Sequence, residues 1–116
     1  MRAISFPFVS LLLIIGSCKK EEALAPRCAN AGALVKQVKS VSGVVYYDSS
    51  QSSYFIRVPN SFDSHDLGYT CNLTTNYQKS GLKVKFSGTY YQSDKQLGFV
   101  AGDKNYYLSL SSIQEQ

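Results

Sequence analysis

The 116-residue chain has no tryptophan, one histidine and only 17% charged residues. Each shortage narrows what it can do. Without tryptophan, a sugar-stacking surface loses its largest ring. The single histidine, His65, lies in Ser61-Phe62-Asp63-Ser64-His65-Asp66. A carboxylate on either side could orient it as a general base. No nucleophile or oxyanion site accompanies it, so an exposed loop histidine is the expectation. The same loop lacks the spacing, glycine and glutamate of an EF-hand. Gly98 to Gly102 lacks the lysine and hydroxyl placement of a phosphate loop. The basic residues of the 34–116 stretch (Lys36, Lys39, Arg57, Lys79, Lys83, Lys85, Lys95 and Lys104) are scattered rather than banked on one segment, so nucleic acid is not an expected partner. The sequence therefore predicts no catalytic residue, metal or cofactor, and the chain is read as not an enzyme.

What is present begins with Cys18. Arg2 supplies a positive start, and Ile4 to Ile15 forms an apolar block interrupted by Ser5, Pro7 and Ser10. That block falls short of the about 20 apolar residues that span a bilayer. Gly16 and Ser17 are small, as a signal peptidase requires. The string Ile15-Gly16-Ser17-Cys18 resembles a bacterial lipobox. The resemblance implies cleavage before Cys18 and acylation of its thiol and new amine. Two acyl signals anchor stably where one would not. The expected organisation is a signal peptide over 1–17, a lipid-anchored tether over 18–33 and one domain over 34–116. Removing Arg2 takes the formal charge from +4 to +3.

With Cys18 committed to lipid, Cys28 and Cys71 remain as an even pair in an exported chain, where disulfides form and persist. A bridge between them would close a loop of about 44 residues, for which chain entropy gives about 4 kcal/mol. Two free thiols or a metal pair are the alternatives, but no histidine lies near either and two sulfurs make a poor zinc site.

From about Val35 the pattern takes period two. Val44, Tyr46 and Asp48 alternate with Val45 and Tyr47, and Gly43 suggests a bulge that lets one strand serve two sheet edges. A polar turn follows, then a strand with Tyr54, Ile56 and Val58 on one face, ended by Pro59. Asn60 to Asp66 reads as a loop and Leu67 to Cys71 as a short strand. Asn72 reads as a helix N-cap and Gly81 as the residue past a helix of two turns at most. Asn72-Leu73-Thr74 also fits a glycosylation acceptor, but the cap explains Asn72 without sugar. Leu82, Val84 and Phe86 alternate with Lys83, Lys85 and Ser87, and Gly88 repeats the bulge signal. Leu97, Phe99 and Ala101 alternate again, Gly102 to Asn105 reads as a hairpin turn, and Tyr106, Leu108 and Leu110 close the sheet. The fold class expected is all-β: a small five- to six-stranded OB-like Greek-key barrel with one short helix. A Greek-key sandwich is the rival.

The segment Tyr69 to Gly88, YTCNLTTNYQKSGLKVKFSG, resembles a stretch of small Bacteroidetes-type lipoproteins with an OB-like domain. Cys71, Asn72 and Leu73, then Gly81, Leu82, Val84, Phe86, Ser87 and Gly88, carry the likeness. Thr74 stands where that stretch often has proline, a departure that bears on the helix start. The charged run Lys19-Lys20-Glu21-Glu22 resembles the export signals of surface-exposed members. The resemblance implies a fold and an outer-membrane location, and no activity.

Tyrosines at 46/47, 90/91 and 106/107 must each send one ring inward and one outward, because strand neighbours face opposite ways. Tyr47, Tyr91 and Tyr107 are expected outward, forming an aromatic platform near the 93–105 loop. Ordinary cross-strand aromatic pairing explains the same pairs without a ligand. The functional expectation is a lipid-anchored cell-envelope protein acting as a non-catalytic binding module. The alternative is a structural or accessory subunit of an outer-membrane assembly. The partners expected are the membrane, through the lipid, and an envelope protein or glycan.

Overall fold

A computed structural model describes residues 21–24, 28, 31–94 and 102–116. The lipobox expected at Cys18, and the strand expected around Leu97, Phe99 and Ala101, lie outside these residues. Six strands follow in order: β1 (Glu22–Ala23), β2 (Leu34–Asp48), β3 (Ser53–Pro59), β4 (His65–Thr70), β5 (Lys83–Gln92) and β6 (Lys104–Glu115). β2 pairs antiparallel with both β3 and β5, while β6 pairs antiparallel with β5 and parallel with β4. The five long strands thus close on themselves, which excludes the sandwich. The architecture is an all-β, OB-like mixed barrel with β1 added at one edge.

The alternating runs place its core. Val45 and Ile56 are opposite each other, and both are wholly buried with Val84, Leu108, Leu110 and Ile113. Burying an aliphatic side chain of this size contributes about 1.5–3 kcal/mol. The β2–β3 turn is held by Asp48, whose Oδ1 accepts from the Ser50 amide and hydroxyl at 2.9 and 2.7 Å. β3 ends at Pro59, as its missing N–H requires.

Long strands in so narrow a barrel must coil, and register shifts accompany this: one lies between Leu34 and Lys36 at the start of β2, and two others face each other. The β5–β6 register shifts at Ser87/Gly88, where a Cβ on Gly88 would come within 2.5 Å of the Ser109 carbonyl. The β2–β5 register shifts between Val38 and Val41, around Ser40 at φ 53°. Ser40's amide donates to the Ser87 hydroxyl at 2.9 Å, which joins the two bulges. Gly43, expected to bulge, instead pairs in register with Val84. Its lack of a side chain makes room for Ile56, whose Cγ2 would approach an added Cβ to 2.6 Å.

Three further expectations change. β4 begins at His65, two residues earlier than its apolar run suggests, because Asp66 is buried in a satisfied site. The helix is reduced to one 3₁₀ turn, Thr75–Tyr77, with Thr74 at its N-cap. Asn72 caps no helix: its side-chain amide pairs with the backbone of Leu110, accepting and donating at 2.8 Å each. It takes the place of a strand residue after β4 departs from β6. The edge of β6 is then covered in sequence by the Cys71 amide on Leu108, Asn72 on Leu110, the Leu24 amide on Ser111, and β1 on Ser112 and Ile113. Within the stretch read as a tether, residues 22–24 therefore belong to the barrel.

The expected disulfide is present. Cys28 and Cys71 are bonded with a sequence separation of 43 and a Cα–Cα distance of 5.1 Å. It fastens the approach to β2 at the end of β4, while Gly32 and Ala33 exchange hydrogen bonds with Gln92 at the end of β5.

Candidate functional site

The outer surface of the barrel carries an aromatic row set by strand register. Because Val45 and Ile56 point inward, their neighbours Tyr46 and Phe55 point outward, directly opposite each other. Phe55 faces Tyr69 on β4, Tyr69 faces Tyr107 on β6, and Tyr107 faces Tyr91 on β5. Ring centroids lie 5.9 Å apart for Tyr46–Phe55 and 5.0 Å for Phe55–Tyr69, both tilted. These separations suit favourable aromatic contact. Tyr69, in the middle, is only 6% exposed, so accessible ring surface falls into two parts. Tyr46 and Phe55 form one; Tyr107 and Tyr91 form the other.

Tyr91 and Tyr107 stand where the sequence placed them. Tyr47 does not: it shares the inward side of β2 with Val45 and emerges only at the barrel end. There its ring meets that of Tyr54 at 4.9 Å and remains 46% exposed. Tyr46 holds the outward position instead. The sequence reading also missed Phe55 and Arg57. The hairpin could have revealed both, since counting back from the Asp48–Ser53 turn puts Val45 opposite Ile56 and Tyr46 opposite Phe55.

Polar groups frame the row. Tyr69 donates to Asp48 Oδ2 at 2.7 Å. Burial opposes the charged form of Asp48, but hydrogen bonds from Ser50, Tyr69 and the Gln51 amide outweigh it and hold the carboxyl below its usual range. Burial and the same carboxylate push the Tyr69 hydroxyl well above the ordinary tyrosine range. At the other part, burial and the hydrogen bond to Asp94, at 3.2 Å, raise Tyr107.

Beside the row runs a second register line: Lys83 on β5, Val44 on β2, Arg57 on β3 and Leu67 on β4. The exposed Arg57 guanidinium lies 5.7 Å from the Tyr46 ring centroid, a cation–π position. It also lies 3.2 Å from His65 Nε2, and His65 Nδ1 is 3.6 Å from Asp103. The His65 amide donates to the same carboxylate at 2.7 Å. His65 is thus the first residue of β4, not an exposed loop histidine. Its partner is the distant Asp103, whereas Asp63 is exposed and Asp66 turns into the barrel.

Asp66 is 5% exposed and accepts from Lys36 Nζ at 2.7 Å and Asn60 Nδ2 at 2.8 Å. Lys36 in turn lies 5.2 Å from the Tyr90 ring centroid, so the buried charge is paired and shielded. Ser61, Ser64 and Asn60 hydrogen-bond among themselves at the mouth of this cavity of about 360 Å³. Among the described residues no three His, Cys, Asp or Glu side chains converge as a metal site would, and no helix is long and apolar enough to cross a membrane.

Comparison with known proteins finds no family model and no curated protein that matches this chain. The outer face must be read from its own chemistry.

Proposed function

We propose that this is a lipid-anchored cell-envelope protein whose barrel acts as a non-catalytic binding module through its outer face. The carrying observation is the unbroken register of five outward rings, Tyr46, Phe55, Tyr69, Tyr107 and Tyr91. OB-type barrels bind extended polymers on the outer face of their second and third barrel strands, here β3 and β4. The lipobox supports the anchor, and the Cys28–Cys71 bridge fits an exported chain. Four Cα steps separate Cys18 from Glu22, the first residue paired to β6, a reach of at most about 14 Å. An acylated Cys18 would therefore hold the Ile113 end of the barrel against the membrane. A non-catalytic role is favoured by His65, whose Nε2 faces a guanidinium rather than a nucleophile.

The second reading, an accessory subunit, has its own support. Phe62 is 100% exposed at the tip of the β3–β4 loop, and Leu34 is 56% exposed. A native pull-down from the cell envelope, using the full-length protein in detergent, separates the two. Retention of glycan by the wild type but not by Phe55→Ala supports the module. A stoichiometric protein partner lost with Phe62→Ala, and kept with Phe55→Ala, moves the reading to the subunit. For the anchor, Cys18→Ala should shift the protein from the membrane to the soluble fraction; continued membrane association would remove that part of the proposal.

A further inference from the structure

From the charge beside the rings, we infer that the outer face takes an acidic oligosaccharide, with Arg57 and Lys83 contacting its carboxylates and Tyr46 and Phe55 stacking on its rings. This rests on the binding-module reading and specifies its ligand.

Lys83 and Arg57 are both exposed, and both are register partners of Val44, one on each side. Two strand spacings separate them, about 10 Å. Lys83 points outward because its neighbour Val84 is wholly buried, and Arg57 because Ile56 is. Tyr46 and Phe55 lie in the adjoining row, two residues along β2 and two back along β3. The face thus presents two cations along one line and two accessible rings along the next.

Arg57 is poised for an anion. All the acidic residues of the chain lie in the described part, and Arg57 forms an ion pair with none of them. The Tyr46 ring and His65 Nε2 hold its guanidinium from two sides. A planar fork fixed in this way matches a carboxylate with little ordering cost. Lys83 supplies a mobile point charge at the far end of the line.

The composition argues for an acidic sugar over a neutral one. With no tryptophan on the face, tyrosine and phenylalanine stacking must be supplemented, and ionic contacts are what the adjoining row provides. It argues equally against single-stranded nucleic acid. Such binders line their groove with basic residues that track every phosphate. Here two cations serve the accessible rings, and Asp48 closes the far side of Tyr69. The Cys28–Cys71 disulfide fits a chain that matures in an oxidising compartment.

The test is calorimetric titration of the full-length protein in detergent with oligogalacturonate, its methyl ester and a short oligo-thymidylate. Esterification keeps the sugar and removes its charge. The expected result is binding of the acidic form, weakened at least tenfold by esterification and weakened again by added salt. Arg57→Gln should cost about tenfold and Lys83→Gln several-fold, while Lys79→Gln, past the 3₁₀ turn, should change nothing. Phe55→Ala should weaken both sugar forms alike, and circular dichroism checks that each variant is folded. Equal binding of acid and ester overturns the inference and leaves the module standing. Binding of none of the three ligands overturns both. Tighter binding of oligo-thymidylate than of the acidic sugar overturns the inference in favour of nucleic acid.

Discussion

Replacing Asn72 by alanine should cost more stability than any hydrogen-bonding change on the barrel's outer face. Its side chain satisfies the N–H and the C=O of Leu110, a residue with no exposed surface. Alanine leaves both groups without a partner. Each buried orphan costs about 1–3 kcal/mol, and water entering where the half-buried Asn72 stood would relieve part of it. The expected loss is about 2–3 kcal/mol, large against the roughly 5–15 kcal/mol of a natural domain. Urea unfolding measures it, and hydrogen exchange at the Leu110 amide locates it. Asn72→Asp refines the test: the carboxylate accepts from the Leu110 amide but repels the Leu110 carbonyl. That variant should be as unstable as alanine at neutral pH and should recover below about pH 4, where the protonated acid can donate. Should Asn72→Ala unfold within 0.5 kcal/mol of wild type, with the Leu110 amide still protected, the side chain does not substitute for a strand residue.

Three other outcomes are expected. Replacing Cys28 and Cys71 together by alanine should lower the free energy of unfolding by about 4 kcal/mol, since the bridge closes a loop with separation 43 around β2, β3 and β4; a loss below 1 kcal/mol in denaturant would contradict this. Gly88→Ala should cost about 2–3 kcal/mol in the same assay, because the obstacle to its Cβ is the Ser109 carbonyl, a backbone atom that cannot rotate aside; an unchanged midpoint would mean the bulge relaxes freely. Burial, with Asp66 and Tyr106 nearby, raises Tyr90 far above the ordinary tyrosine range, and burial with the Asp48 carboxylate does the same for Tyr69. The stability this lends is whole below about pH 10 and falls as pH rises toward the folded-state values. Tyrosinate absorbance should show two rings that ionise only with unfolding, and Tyr90→Phe should remove one; smooth titration of all nine tyrosines would refute it.

Local alternation was enough to find most of the barrel. Ile56 and Val58 on β3 flank Arg57, and Val84 and Phe86 on β5 flank Lys85, so their inward side was readable from sequence. Pro59 and the bulge at Gly88 were readable for the same reason: the signal lies in the residue itself. The start of β4 was hidden because Asp66 is buried, and a buried carboxylate makes sense only once Lys36 and Asn60 are seen to hold it. Asn72 misled for a stronger reason. Ahead of Leu73-Thr74-Thr75 its residue type is one that helix N-caps prefer, yet its partner Leu110 is 38 residues away.

The site failed where alternation itself was degenerate. On β2, Val44-Val45 and Tyr46-Tyr47 repeat the same residue on both faces, so period two carries no information about which ring points out. Only pairing decides it, and β3 does so because its own faces differ: Ile56 must be buried and Arg57 must not, which turns Val45 inward and Tyr46 outward. The Tyr106-Tyr107 doublet on β6 is resolved by the same logic, through Gly68 and Tyr69 on β4. Gly68 leaves room for Leu108 and Tyr90, whose side chains would meet an added Cβ at 2.9 Å, so Tyr106 turns in and Tyr107 turns out. An aromatic doublet in a barrel strand is thus oriented by the partner strand whose two faces differ most in polarity or size, and Phe55 and Arg57 belong to the site because β3 is that strand.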